Sequence, residues 1–160
     1  MTPTRSSPGP SRIFALARAW IEPVVSRSYV VSACGRVPTR DDFAAHQGLM
    51  MCERVGLAHL GVLMSYVEPA ARLKPDPSAD GGEGAGLRGL LDLVHGGWAS
   101  PDEILMLFRL LRPYTSGNER CARALWLWRV LRSDPGEAEM ALRDFLDATD
   151  DDRPAMRPAS

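Results

Sequence analysis

The chain has 160 residues, of which 45% are hydrophobic and 24% charged, and its formal net charge is -1. This length and composition are typical of one globular domain with a core of its own, and they exclude an intrinsically disordered chain. The balanced charge gives no electrostatic reason to expect a nucleic acid as the partner. No apolar run is long enough for a membrane span, and the N-terminal residues lack the apolar stretch of a secretory signal, so we expect none. We therefore expect a cytoplasmic protein whose three cysteines remain reduced thiols.

The first part of the chain predicts a short arm followed by a helix. Residues 1–11 consist mostly of Pro, Ser, Thr and Gly, which predicts a disordered arm. Apolar residues then recur at helical spacing and predict a helix over residues 12–32. Pro23 lies inside this pattern and is expected to kink or split the helix. Residues 24–33 are rich in β-branched side chains, so a strand remains the alternative to the helix that we predict there.

A second helix is predicted to begin after Thr39, whose hydroxyl is suited to cap a helix N-terminus, and to end near Tyr66. Three glycines lie within this predicted helix, Gly48, Gly56 and Gly61. Each glycine costs a helix about 1 kcal/mol relative to alanine. Their presence indicates either that another helix packs very closely there or that the helix breaks.

A stretch of Pro, Gly and Asp at residues 74–86 predicts a linker between two helical halves of a single domain, which covers residues 12–148. Residues 149–160 are acidic and contain prolines, which predicts a disordered tail. Apolar periodicity between the linker and the tail predicts further helices over residues 87–94, 100–112, 116–133 and 135–148. The sequence therefore predicts an all-α protein, a compact bundle of five to six helices.

The two pairs of helices after the linker resemble each other. When the chain is aligned with itself at an offset of 34 residues, identical residues coincide at six pairs of positions. These pairs are Leu91 with Leu125, Leu93 with Leu127, Pro101 with Pro135, Glu103 with Glu137, Met106 with Met140, and Arg109 with Arg143. The helix-start motif also repeats, as Ser100-Pro-Asp-Glu103 and Asp134-Pro-Gly-Glu137. This pattern predicts a two-copy helix–turn–helix repeat in the C-terminal half.

A helix–turn–helix unit repeated at this period resembles the tetratricopeptide repeat. The resemblance implies that residues 87–95 and 120–132 form the first helix of each copy. Small proteins of this build are similar to the chaperones of type III secretion systems, which hold secreted partners in a groove lined by the first helices. The resemblance therefore implies a chaperone or adaptor that holds a peptide or a helix of a partner protein.

A second family resemblance leaves an alternative open. Gly96-Gly97-Trp98 resembles the Gly-Gly-Trp of the second homology motif in single-domain viral apoptosis regulators of the Bcl type. Gly117 and Asn118 match two residues of the first motif's Asn-Trp-Gly-Arg core, although the two motifs occur here in the reverse order. These regulators are helical proteins of similar length whose groove captures an amphipathic helix. The alternative is therefore a viral helical regulator that captures a helix of a host protein.

Residues that could perform chemistry are scattered along the chain. His46 and His59 would lie about 140° apart in angle on one helix, and His95 is remote from both in sequence. The serines lack a nucleophile elbow, and the only glycine-rich run follows no predicted strand, so no phosphate-binding loop is expected. We therefore expect a protein that is not an enzyme and that binds no metal and no cofactor.

The segment of residues 116–134 carries the strongest indication of function. Its predicted helix is apolar on nearly all sides, which places it at the centre of the bundle. Two tryptophans in this helix project about 200° apart, so both are buried only if the helix is enclosed on two sides. If it is not, one of them is exposed and marks a partner groove. We predict a groove for a protein or peptide partner that involves Trp98, Arg123, Trp126, Trp128 and Arg129.

Overall fold

Seven helices make up the part of the chain that the computed structural model describes, residues 8–75 and 84–151. They are α1 (Pro10–Val31), α2 (Arg40–Met50), α3 (Leu57–Val67), α4 (Ala85–Gly96), α5 (Pro101–Leu111), α6 (Asn118–Val130) and α7 (Pro135–Asp151). A single isolated bridge joins Leu73 and Tyr114, and these residues form no sheet. The prediction of an all-α bundle is therefore confirmed. None of the described helices has the length and the apolar character that a membrane span requires.

Helix α1 is continuous although Pro23 lies in its interior. Proline removes one helical hydrogen bond and crowds the preceding turn. The turns on both sides of it nevertheless bury apolar side chains in the core, among them Ile21, Val24 and Val25. Because this packing stabilises the helix through the proline, the helix is not split at Pro23, and of the two expected outcomes the split is wrong. The helix that we predicted for residues 24–33, in preference to a strand, is confirmed as far as the end of α1.

The second predicted helix is two helices in the structure, which gives the bundle one helix more than the sequence predicted. Thr39 caps α2 as expected, because its hydroxyl accepts a hydrogen bond from the Asp42 backbone and the Asp42 carboxylate accepts one from the Thr39 backbone. Helix α3 begins after Gly56, whose backbone N–H donates a hydrogen bond to His59 Nδ1 at 2.8 Å. Of the two explanations for the glycines, a break in the helix is the correct one at Gly56.

A polar cluster holds the start of α2 beside the end of α3. Arg36 forms a bidentate ion pair with Asp42, with N–O distances of 2.6 and 3.1 Å. The same guanidinium donates hydrogen bonds to the carbonyl oxygens of Tyr66 and Val67, at 2.9 and 3.1 Å. Arg120 of α6 donates a further hydrogen bond to the Val67 carbonyl oxygen at 2.6 Å. Since the last carbonyls of a helix lack partners within the helix, the two arginines join α2, α3 and α6 at this point.

Helix α6 lies at the centre of the bundle, as the sequence predicted. It packs against α1, α2, α3, α5 and α7. Most of its side chains are buried, on every side of the helix: Arg120, Cys121, Ala122, Ala124, Leu125, Trp126, Leu127, Trp128 and Val130. The other helices are therefore arranged around α6, and their outer faces provide the surface.

The predicted arm, linker and tail fall largely outside the described residues, at residues 1–7, 76–83 and 152–160. Within the described part, α1 already begins at Pro10 and α7 continues to Asp151. The helical domain therefore extends slightly beyond both of its predicted ends.

Candidate functional site

Trp126 lies on the face of α6 that meets α5 and α7. Its indole N–H donates a hydrogen bond to Asp102 Oδ1 at 3.2 Å, and the residue is only 2% exposed. The Arg123 guanidinium lies over the indole, 4.7 Å from the ring centroid, and 4.0 Å from the ring centroid of Phe145. Burial, and then the nearby charge of Arg109, lower the pKa of Arg123 to about 10. Arg123 and Trp126 therefore belong to one packed cluster between three helices.

Trp128 lies on another face of α6, towards α4 and the loop between α2 and α3. Its indole N–H donates a hydrogen bond to the Cys52 carbonyl oxygen at 2.9 Å, and the residue is only 4% exposed. The Arg132 guanidinium lies 3.9 Å from the ring centroid, and His95 meets the ring edge-on at 5.3 Å between centroids. Arg132 also donates to the carbonyl oxygens of Met50 and Cys52, both at 2.9 Å. Trp128 and Arg132 thus attach the α2–α3 loop to the central helix.

The structure divides the predicted partner-binding residues among three places. Arg123 and Trp126 lie in the cluster between α5, α6 and α7. Trp128 and Arg129 line a cavity of about 890 Å³ between the starts of α1 and α7. Trp98 does not line that cavity, and it is 86% exposed in the turn between α4 and α5. Neighbouring helices enclose α6 on both sides and both of its tryptophans are buried, so the condition under which an exposed tryptophan would mark a groove is not fulfilled.

The cavity beside Trp128 has a charged lining of mixed sign. The arginines Arg12, Arg54, Arg129 and Arg132 line it together with the acidic residues Glu53, Asp134 and Glu137. Because charges of both signs are present in similar numbers, the lining does not favour an anionic or a cationic ligand.

An apolar groove of about 400 Å³ runs between α2 and α3, and we call it the α2–α3 groove. It is lined by Asp41, Ala44, Ala45, Gly48, Leu49, Cys52, His59, Val62, Leu63 and Tyr66. Leu49 and Leu63 are buried and form its floor, whereas Val62 and Tyr66 are 62% and 47% exposed. Exposed apolar side chains beside a concave apolar surface are typical of a binding site.

Small residues form the α2 wall of this groove. Ala44 and Gly48 are one helical turn apart and therefore share a face of α2, with Ala45 beside them. A Cβ atom added to Gly48 would have no heavy atom within 4 Å. The space over this wall is therefore open to an apolar side chain from outside the described chain.

The two ends of the α2–α3 groove carry different polar groups. Asp41 and Tyr66 lie at one end, because Arg36 joins the start of α2 to the last turn of α3. Cys52 and His59 lie at the other end, next to the loop that connects the two helices. His59 Nδ1 accepts a hydrogen bond from a backbone N–H of that loop, so Nε2 carries the proton when the ring is neutral.

The thiol of Cys52 and the ring of His59 lie at the same end of the groove. The thiol of Cys52 donates a hydrogen bond to the Gly48 carbonyl oxygen at 3.4 Å, so the sulfur is engaged with backbone and not with the His59 ring. Within residues 8–75 and 84–151, no group of three or more His, Cys, Asp or Glu side chains is placed to hold a metal ion. The surface of the groove is therefore mainly apolar.

The sequence prediction did not include the residues of the α2–α3 groove. One signal is present in the sequence, since Gly48 is among the three glycines that indicate either the close approach of another helix or a break in the helix. The role of Gly48 can be interpreted only once the break at Gly56 is known, because two separate helices are needed to lie side by side and form a groove. The prediction was based on Trp126 and Trp128 of α6, which are buried in the core.

Comparisons of the chain with protein-family models, with curated proteins and with solved structures find no significant match. The resemblances to tetratricopeptide-repeat chaperones and to Bcl-type regulators, and the two-copy repeat itself, therefore stay predictions.

Proposed function

We propose that the protein is a non-enzymatic protein-binding module, a chaperone or adaptor of the cytoplasm, that holds a helix of a partner protein in the α2–α3 groove. The observation that carries the proposal is an open apolar groove with one wall of small residues, Ala44, Ala45 and Gly48. The balanced charge of the chain supports a protein partner in preference to a nucleic acid.

The dimensions of the groove suit a short amphipathic helix. Helices α2 and α3 have 11 residues each, which corresponds to a length of about 16 Å or three helical turns. A partner helix of that length presents apolar side chains at positions i, i+3 or i+4, and i+7. The small residues on α2 let these side chains reach the floor of the groove, and Val62 and Tyr66 on α3 cover them from the side.

Site-specific cross-linking tests whether the groove contacts a partner. A photoreactive amino acid is placed at Val62 in the groove, and in a control protein at Val37, which is also exposed but lies in the loop before α2. After irradiation in the cells in which the protein is naturally made, mass spectrometry identifies the cross-linked segments. We expect position 62, and not position 37, to cross-link one amphipathic helical segment of a partner.

A pair of glycine substitutions completes this test. Gly48→Trp fills the groove, whereas Gly89→Trp adds the same side chain to α4, where a Cβ atom also has no heavy atom within 4 Å. Circular dichroism should show that both variants fold. Loss of the cross-link from position 62 with Gly48→Trp alone supports the proposal. Equal cross-linking with both variants would contradict it. The identity of the segment then distinguishes a secreted client from a host regulator.

A further inference from the structure

We infer that the α2–α3 groove binds its partner helix in one direction, antiparallel to α2, with a basic residue in the last turn of the partner helix beside Asp41 and an acidic residue in its first turn beside His59. This inference rests on the proposed function, since it specifies the partner of the same groove. It is carried by the distribution of polar groups along the groove.

The charged lining of the groove is confined to its two ends. Among the described residues, Asp41 is the single carboxylate in the lining and His59 the single imidazole, and none of the described arginines or lysines lines the groove. Because α2 and α3 are antiparallel neighbours joined by a short loop, these two residues lie at opposite ends. A partner therefore meets the carboxylate of Asp41, which can pair with a cation, at one end and the N–H donor of His59 at the other.

Asp41 differs in its surroundings from the next residue along α2. The Asp42 carboxylate is buried and engaged by Arg36 and by Thr39. Asp41 is exposed, and the described residues provide it with no hydrogen bond and no ion pair. Its neighbour Arg40 is exposed as well and does not line the groove. The carboxylate of Asp41 is therefore available to a cation from a partner.

Two of the arginines near this end of the groove are already paired. Arg36 is paired with Asp42, and Arg120 with Glu68, while both arginines also bind carbonyl oxygens at the end of α3. In the lining of the groove, Asp41 is thus the carboxylate that no described basic side chain pairs with, and it lies in the first turn of α2.

The electrostatics of helices determine the direction. Basic residues are favoured in the last turn of a helix and acidic residues in the first turn, because they compensate the partial charges of the helix ends. A partner helix with this common arrangement places its basic end beside Asp41 and its acidic end beside the His59 Nε2–H.

Two synthetic peptides of 14 residues provide the probes. They have the same composition and the same apolar stripe, with acetylated and amidated ends. The first peptide carries glutamates in its first turn and arginines in its last turn, and in the second peptide these charges are exchanged. Fluorescence anisotropy gives the dissociation constant of each peptide for the wild type and for Asp41→Arg.

The decisive quantity is how Asp41→Arg changes the ratio of the two dissociation constants. The second peptide is intrinsically less helical, and this lowers its affinity equally for both proteins. The effect therefore cancels when the ratio for Asp41→Arg is compared with the ratio for the wild type. We expect the wild type to prefer the first peptide, and Asp41→Arg to shift the ratio by about fivefold or more towards the second peptide. Asp92→Arg changes the net charge equally on α4, outside the groove, and should leave the ratio unchanged.

The outcomes separate the direction of binding from binding itself. If both peptides bind, if Gly48→Trp blocks them, and if Asp41→Arg leaves their ratio unchanged, the groove binds helices but the inferred direction is wrong. A shift of the ratio towards the first peptide would also overturn the direction. If neither peptide binds the wild type, both the direction and the proposed function of the groove are contradicted.

Discussion

The central helix α6 and the α2–α3 hairpin differ in how far their apolar residues are buried. In α6 both tryptophans are almost fully buried, and an arginine stacks on each indole. Between α2 and α3 an apolar floor remains open, and Val62 and Tyr66 on its rim are exposed. The difference follows from side-chain size, because the large residues of α6 contact neighbouring helices on all sides. The α2 wall carries the small residues Ala44 and Gly48, and a Cβ atom at Gly48 would have no heavy atom within 4 Å.

This comparison separates two meanings of an apolar pattern. A run of large aromatic and aliphatic residues indicates the position of the core, where side chains pack at high density. Small residues at helical spacing beside exposed apolar residues indicate a surface that another molecule can approach. In this protein the second pattern is the one on which the proposed function rests.

Truncating Trp128 should have the largest effect on stability. Trp128→Ala removes a buried indole and its hydrogen bond to the Cys52 carbonyl oxygen, so we expect the free energy of unfolding to fall by about 3–5 kcal/mol. Trp98→Ala removes the same side chain from an exposed turn and should change the free energy of unfolding by about 0.5 kcal/mol or less. Urea denaturation of both variants measures the difference.

The stabilities of the two tryptophan variants can contradict the contrast between the buried α6 and the exposed surface. A similar loss of stability in both variants would mean that Trp98 packs against the domain in solution. A small loss with Trp128→Ala would mean that α6 is less enclosed than the structure indicates. A partner bound by the wild type and lost with a folded Trp98→Ala variant would add the α4–α5 turn to the binding surface.

Acidification should break the polar cluster that aligns the ends of α2 and α3. Burial opposes ionisation of Asp42, but hydrogen bonds from Arg36 and Thr39 outweigh it and lower the pKa of Asp42 from 3.8 to about 2. Because the pKa is lower in the folded state, this stabilisation is complete above about pH 4 and is lost as the pH falls towards 2. We expect a loss of about 2 kcal/mol, measured by urea denaturation between pH 2 and pH 7.

Two substitutions at neighbouring positions check the assignment to Asp42. Asp42→Asn should lower the free energy of unfolding at pH 7 by about 2–3 kcal/mol and remove this part of the acid dependence, since Arg36 loses its partner. Asp41→Asn, at an exposed position, should retain the acid dependence with a small change in stability. If the acid dependence disappears with Asp41→Asn instead, the buried ion pair does not cause it.

The sequence predicted the architecture better than the site, for identifiable reasons. Helix starts at Thr39, Ser100 and Asp134 could be located because capping residues and helix-start prolines act locally. The burial of both tryptophans in α6 depends on the positions of five neighbouring helices, and local sequence patterns do not predict these positions. The groove depends on the reversal of the chain before Gly56, and glycine alone does not distinguish a break from close packing.

The smallest predicted effect tests the open wall of the groove. Gly48→Ala should raise the free energy of unfolding by about 0.5–1 kcal/mol, because alanine favours helix and its Cβ meets no neighbour. As a control, Gly117→Ala should destabilise the protein, since Gly117 has a φ of +73° and a Cβ there would lie 2.8 Å from Glu68. Thermal unfolding measures both changes, and a loss of stability with Gly48→Ala would show that the wall is covered. Since alanine is small, this variant should keep the groove accessible to the peptides that Gly48→Trp excludes, so stability and binding can be separated at one position.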